Sequence, residues 1–293
     1  MVFLRAFRLV VPGTVRVIDM ERPGGYELDE TPVWETPARK VRAMDPTTPV
    51  VFLHAFPLNA AMWEGELEAL GARQVLAPNL PGFGGRPPEL PDLGRFAEIV
   101  TQDMDAAGIS EAVVVGLSMG GYVALRLHAL WPERVAGLAL ADTRAGPDDE
   151  AGRAKRTGQA AQARRDGIGW MTEAFLPALL GQTTLRERPG VVDAVRRMIG
   201  EGDPEGVARA LEAMRARPDS TPHLGEVRVP VLALVGEEDT LTPVAEAKRI
   251  AEGASDGRLV VIPGAGHLSN LEAPALFREA LLTFLAWVDS VRG

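Results

Sequence analysis

Six short apolar runs, separated by longer stretches of helical periodicity, limit what this chain can fold into. The runs are "VVFLH" (50–54), "QVLAPN" (74–79), "AVVVG" (112–116), "VAGLALAD" (135–142), "VPVLALVG" (229–236) and "GRLVVIPG" (257–264). They are continuous rather than alternating, the pattern of strands covered on both faces. Between them, 60–71, 93–108, 120–133, 243–253 and 273–291 carry helical spacing. Strand–helix alternation of this kind predicts an α/β protein with a parallel sheet.

The alternation stops at 147–225. That Arg- and Ala-rich stretch holds no convincing strand and predicts helices near 149–166, 169–180, 189–200 and 204–216. The expected organisation is a core from 1–146 and 226–293 with a helical insertion, 147–225, between two of its strands. The insertion leaves from the C-terminal end of its strand, the edge where open α/β sheets bind ligands, so it reads as a lid rather than a surface bundle. Upstream of residue 46, "RAFRLVV", "TVRVIDM" and "ARKVRA" suggest leading strands, with a Gly/Pro-rich turn at 22–37.

Composition narrows the function classes. A formal net charge of −9 argues against a nucleic-acid partner. With no cysteine, disulfides, a thiolate nucleophile and cysteine metal sites are excluded. Arg5 and Arg8 interrupt the apolar start, so a signal peptide fits poorly, and no run approaches the roughly 18 apolar residues of a membrane span. The expectation is a soluble, cytoplasmic protein.

The stretch "GLSMGG" (116–121) lies where a predicted strand becomes a helix. A dinucleotide loop would need a bare glycine where Ser118 stands, and no lysine follows to complete a triphosphate loop. A Gly-x-Ser-x-Gly turn instead holds a serine in a strained bend, with glycines 116 and 120 relieving crowding and the hydroxyl raised above the sheet edge.

A serine hydroxyl is a weak nucleophile and needs a general base. Of four histidines, His128 falls inside the following helix and His223 beside Pro222 at the end of the insertion. His267, in "GAGHLSNLEAP", follows the last strand and should open on the same sheet edge as Ser118. A carboxylate must orient that histidine. Asp239 in "VGEEDTLTP" follows the strand 229–236 and is preferred; Asp142, also at a strand end, is the other candidate, and Glu237 and Glu238 adjoin the first. Acyl transfer also needs N–H donors for the oxyanion. Met119, after the serine, supplies one; Phe56 in "HAFPL", after the strand 50–54, is expected to supply the other. His54 then shapes the loop.

With "PNLPGFGG" added, the five segments "HAFPL", "PNLPGFGG", "GLSMGG", "GEEDTLTP" and "GAGHLSNLEAP" resemble, in order and spacing, the α/β-hydrolase superfamily. The resemblance implies a mostly parallel eight-stranded sheet flanked by helices, with an all-helical cap inserted after the sixth strand. It carries triad roles onto Ser118, Asp239 and His267, and oxyanion roles onto Phe56 and Met119. Two departures stand out: Ala55 occupies a position where relatives commonly have glycine, and residues 1–45 do not match a standard leading hairpin.

A serine at the elbow argues against the dehalogenases and epoxide hydrolases of this superfamily, which use aspartate there. The expected activity is hydrolysis of a small or medium carboxylic ester. An enol-lactonase-like or perhydrolase activity is the alternative, and a non-catalytic ligand-binding protein is the reading from another class. Trp170, Met171 and Phe175 of the insertion are candidates to line a substrate pocket, although that spacing also suits simple packing. No cofactor and no metal are called for; the expected partner is a small ester or lactone, and a homodimer is left open.

Overall fold

The apolar runs become the strands of one sheet. The computed structural model describes residues 6–11, 14–19 and 47–292. Eight strands, β1 (Ala6–Val11), β2 (Thr14–Asp19), β3 (Val50–Leu53), β4 (Val75–Leu76), β5 (Ala112–Leu117), β6 (Val135–Ala141), β7 (Val231–Gly236) and β8 (Gly257–Ile262), lie in the order β2-β1-β8-β7-β6-β5-β3-β4. Every pairing is parallel except β1 with β2. Successive residues of a strand face opposite sides. Since all residues of β5, β6 and β7 are buried, both faces of the central sheet are covered.

The edges depart from the sequence expectation. The run 74–79 yields only two paired residues, because β4 is a half-buried edge strand and Pro78 has no N–H to continue the ladder. Two of the three leading strands are present as the β1–β2 hairpin, which lies along β8. The segment "ARKVRA" and the 22–37 turn lie outside the described residues.

The helices follow their periodic stretches. α1 (Glu64–Ala69) continues from a 3-10 turn at Ala60–Trp63, and α2 (Leu93–Ala106) starts where Asp92 accepts the N–H of Arg95. α3 (Met119–Leu130) packs onto β3, β5 and β6. Between β6 and β7 come α4 (Glu150–Asp166), α5 (Met171–Leu179), α6 (Gln182–Glu187), α7 (Pro189–Gly200) and α8 (Pro204–Arg215). Asp149 and Asp203 cap α4 and α8 through the N–H groups of Gly152 and Gly206, and Pro204 occupies the first turn of α8. α9 (Val244–Gly253), α10 (Ser269–Glu272) and α11 (Pro274–Arg292) complete the chain.

The two ends of the insertion meet. The N–H of Ser220 donates to the carbonyl of Ala145 at 3.0 Å, and Arg217 donates to the Gly146 carbonyl at 3.1 Å and to Asp148 at 2.9 Å. Arg217 also lies over the Tyr122 ring, 4.4 Å from its centroid, tying this neck to α3. No helix among the described residues is long and apolar enough to cross a membrane.

Candidate active site

The bend at Ser118 is sterically compelled. Its φ of 55° and ψ of −112° lie in a region that costs a non-glycine residue about 1–3 kcal/mol. The bend is held by Ser118 N–H donating to the Ala141 carbonyl at 2.9 Å and by Thr143 Oγ1 donating to the Ser118 carbonyl at 2.8 Å. A Cβ at Gly116 would enter the backbone of Gly120, and one at Gly120 would enter the carbonyls of Leu53 and His54. The second collision shows what Gly120 achieves: it lets the start of α3 close against the loop that carries Phe56.

Three loops at the C-terminal edge of the sheet then bring their side chains together. His267 Nε2 lies 2.8 Å from Ser118 Oγ, and His267 Nδ1 lies 2.8 Å from Asp239 Oδ2. A carboxylate only accepts, so Nδ1 carries the proton and Nε2 presents its lone pair to the serine hydroxyl. Asp239 Oδ1 accepts the N–H groups of Leu241 and Thr242 at 2.8 and 2.9 Å, and Oδ2 accepts the Thr242 hydroxyl at 2.5 Å. Burial alone would raise this carboxyl's pKa; the charge of His267 and the hydrogen bonds from His267 and Thr242 outweigh it and hold the group below its ordinary value. Thr242 is absent from the sequence reading, although a threonine three residues after an aspartate is a recognisable turn signal.

Asp142 points elsewhere. Its oxygens accept the N–H of Gly236 at 2.8 Å and the N–H and hydroxyl of Ser269 at 3.2 and 2.5 Å. Complete burial, with the charge of Asp239 added, pushes its carboxyl well above the usual range. It therefore caps α10 from the end of β6. Glu237 is exposed, whereas Glu238 accepts the N–H and hydroxyl of Thr183 in the insertion.

The remaining histidines have other surroundings. His128 is half-buried on α3, and His223 is exposed and pairs with Glu226. His54 is fully buried; its Nε2 accepts the Leu80 N–H at 2.9 Å, so Nδ1 bears the proton and donates to the Ala55 carbonyl at 3.0 Å. Burial, partly opposed by that backbone bond, lowers its pKa to about 4, so it stays neutral and shapes the loop.

That loop, Ala55 to Leu58, has a cis Phe56–Pro57 peptide, and the Ala55 N–H donates to Met62 Sδ at 3.2 Å. Among the described residues no acceptor is paired with the N–H of Phe56 or of Met119. For Met119 this follows from its place at the start of α3, where helical N–H groups lack intrahelical partners.

Aromatic rings line up from this loop into the insertion. Phe56 packs edge-on against Phe83 and Phe175, with centroids 6.0 and 5.8 Å apart, and Trp170 lies 6.0 Å from Phe175. Trp170 and Phe175 are partly exposed, while Met171 is fully buried. A separate shallow depression lies further along α3, walled by Tyr122, Arg126, Arg144 and Arg217, and neither Ser118 nor His267 lines it.

Comparison with known proteins bears on the family and the fold. The sequence profile described as "Alpha/beta hydrolase family" matches residues 50–280. A thermophilic esterase from Thermogutta terrifontis, solved with malate bound, is 37% identical, with a TM-score of 0.80 over 82% of this chain and 90% of that one. The enol-lactonase from Burkholderia xenovorans LB400 is 27% identical, with a TM-score of 0.76 over 82% of this chain and 92% of that one. The dihydrolipoyllysine-residue acetyltransferase component of the acetoin cleaving system of Pseudomonas putida is 31% identical over 81% of this chain, but the match spans only 63% of that protein. A sheet of this order, a serine at the bend after β5 and a profile match across most of the chain lead to one conclusion: the chain belongs to the alpha/beta hydrolase family.

Proposed function

We propose that this chain is a serine hydrolase that cleaves a carboxylic ester of a small or medium organic substrate through an acyl-enzyme. The observation that carries the reading is the continuous relay Ser118–His267–Asp239, with both contacts at 2.8 Å and none of the three residues more than 8% exposed. In the first step His267 Nε2 takes the hydroxyl proton as Ser118 Oγ bonds to the ester carbonyl carbon. The carbonyl oxygen becomes an oxyanion facing the free N–H groups of Phe56 and Met119. The intermediate collapses, the C–O bond to the alcohol breaks, and His267 returns its proton to the departing alkoxide. Water, deprotonated by His267, then attacks the acyl-serine; the acid leaves and Ser118 regains its proton.

Residues 147–225 act in this reading as a cap over the nucleophile. The contact of Phe175 with Phe56 supports that role, because it brings a ring of the insertion against the oxyanion loop. Trp170 and Phe175, both partly exposed, then form an apolar wall with the buried Met171 packed behind it, favouring an uncharged aliphatic or aromatic group on the substrate. Likeness to an enol-lactonase supports a lactone as the second substrate class.

The test is a panel of p-nitrophenyl esters and lactones, assayed with the wild type and with Ser118→Ala. Wild-type turnover should fall on the order of a millionfold in the variant, and a fluorophosphonate should label Ser118. Equal, slow rates for both proteins together with no labelling would overturn the proposal.

A further inference from the structure

The elbow between α5 and α6, residues Gly181 to Thr183, touches both catalytic loops at once. The Gly181 N–H donates to Glu272 Oε2 at 2.8 Å, while the other oxygen of that carboxylate accepts the N–H of Leu268, the residue after His267, at 3.0 Å. On the other side, the Thr183 N–H and hydroxyl donate to Glu238, the residue before Asp239, at 2.9 and 2.5 Å. Arg188 adds bonds to the carbonyls of Gly264 and Glu272 at 3.0 and 2.6 Å.

The approach is close. A Cβ at Gly266, immediately before His267, would enter the backbone of Leu180 and Gly181, and one at Gly181 would enter the Glu238 carboxylate. Glu272 is 2% exposed, so its two hydrogen bonds form out of water, where satisfying a carboxylate matters most. The same helix α5 meets the oxyanion loop through Phe175. It therefore reaches from the proposed oxyanion donor to the loops of the proposed acid and base.

We propose that Glu272 and Glu238 are positioning residues, and that the α5–α6 elbow of the insertion is a structural part of the acid–base pair. Glu238 precedes Asp239 in the chain, Glu272 holds the N–H of the residue after His267, and both grip the same three-residue segment. The insertion then fixes where His267 and Asp239 stand and does more than bound the substrate space. This rests on the serine hydrolase reading given above.

Two variants of the full-length chain test it. Thr183→Val removes only a hydroxyl donor, and Glu272→Gln keeps shape while leaving a single acceptor for two N–H groups. Misplacing a catalytic group by about 1 Å costs up to about 100-fold, so kcat and the fluorophosphonate labelling rate should fall about 10- to 100-fold in Glu272→Gln and less in Thr183→Val, with KM changed less than about threefold. The conservative Thr183→Ser should restore the wild-type rate. Unchanged kcat with a lower melting temperature, or a raised KM with unchanged kcat, would overturn the proposal.

Amide hydrogen exchange supplies a readout independent of turnover. Thr183→Val lies in the insertion, yet it should speed exchange at residues 238–242 in the core. Exchange that is unaltered there would overturn the clamp even if the wild type proved to have no esterase activity. Faster exchange with an inactive wild type would uphold the clamp and count against the hydrolase reading alone.

Discussion

Asp142 and Asp239 close two neighbouring strands, β6 and β7, and their carboxyl pKa values are displaced in opposite directions. Asp142 is raised by complete burial and by the charge of Asp239, whereas Asp239 is held low by His267 and Thr242. In the proposed mechanism the group that steadies an imidazolium has to remain anionic, and of the two environments only that of Asp239 meets this need. Replacing Asp239 by asparagine should lower kcat by about 10⁴-fold. Asp142→Asn, which keeps an acceptor for the Gly236 N–H, should retain activity within about tenfold of wild type while unfolding at a lower temperature. Steady-state kinetics and a thermal melt of both variants check the division; a larger loss in Asp142→Asn would reverse it.

Gly120 and Gly158 should respond oppositely to alanine. At Gly120 a Cβ would enter the Leu53 and His54 carbonyls, so Gly120→Ala should destabilise the protein by about 1–3 kcal/mol or more and separate the loop that carries Phe56 from Ser118. Gly158 is exposed within α4 and has nothing within 4 Å of that position, so Gly158→Ala should stabilise by about 0.5–1 kcal/mol. Denaturant melts of the two variants measure both signs.

Glu66 predicts a loss of stability as the solution becomes more alkaline. Burial, only partly offset by the Asn270 amide and the Arg278 charge, raises its pKa to about 7. The folded protein then holds a proton that the unfolded chain releases from about pH 4.5 upward. Stability should therefore decline between about pH 4.5 and pH 7 and level off above, by about 3 kcal/mol at most. Glu66→Gln should flatten this slope and exceed the wild type in stability at pH 8, but not at pH 4. Urea melts across that range decide; parallel profiles for the two proteins would refute it.

Phe175→Ala should separate substrates by size. Losing the ring that meets Phe56 removes about 1–2 kcal/mol of apolar contact, so KM for a p-nitrophenyl hexanoate should rise roughly tenfold. For the acetate, with four fewer carbons to bury, KM should stay near its wild-type value. Equal changes for both esters would count against an acyl-binding wall at this position.

The sheet and the meeting of Ser118, Asp239 and His267 were legible because each residue follows an apolar run, and parallel strands deliver their C-terminal loops to one edge. α6 was not legible. Its six residues, "QTTLRE", span fewer than two turns, too short for a periodic pattern to show, and the carboxylate that accepts an N–H of its first turn, Glu238, lies far along the chain. α10 escaped notice for the same reason, since Asp142 caps it from β6. Glu238 and Asp142 are the alternatives that proximity to Asp239 and to a strand end had suggested as catalytic acids. Both prove to be helix caps supplied at a distance, a role that local spacing cannot reveal.

The pairing of Ala145 with Ser220 has a consequence for how such a chain can change over generations. A segment whose two ends are already fastened together can be lengthened, shortened or exchanged with little penalty to the rest, because closure cost grows by only about 0.6 kcal/mol for each doubling of length. Grafting a different helical unit at this junction would leave the strand order untouched. A graft would have to reproduce the fit of residues 181–183 to Glu238 and Glu272, the contact of Phe175 with Phe56 and the backbone approach of Gly206 to Gly82, so the inserted helices are free to vary only away from such contacts.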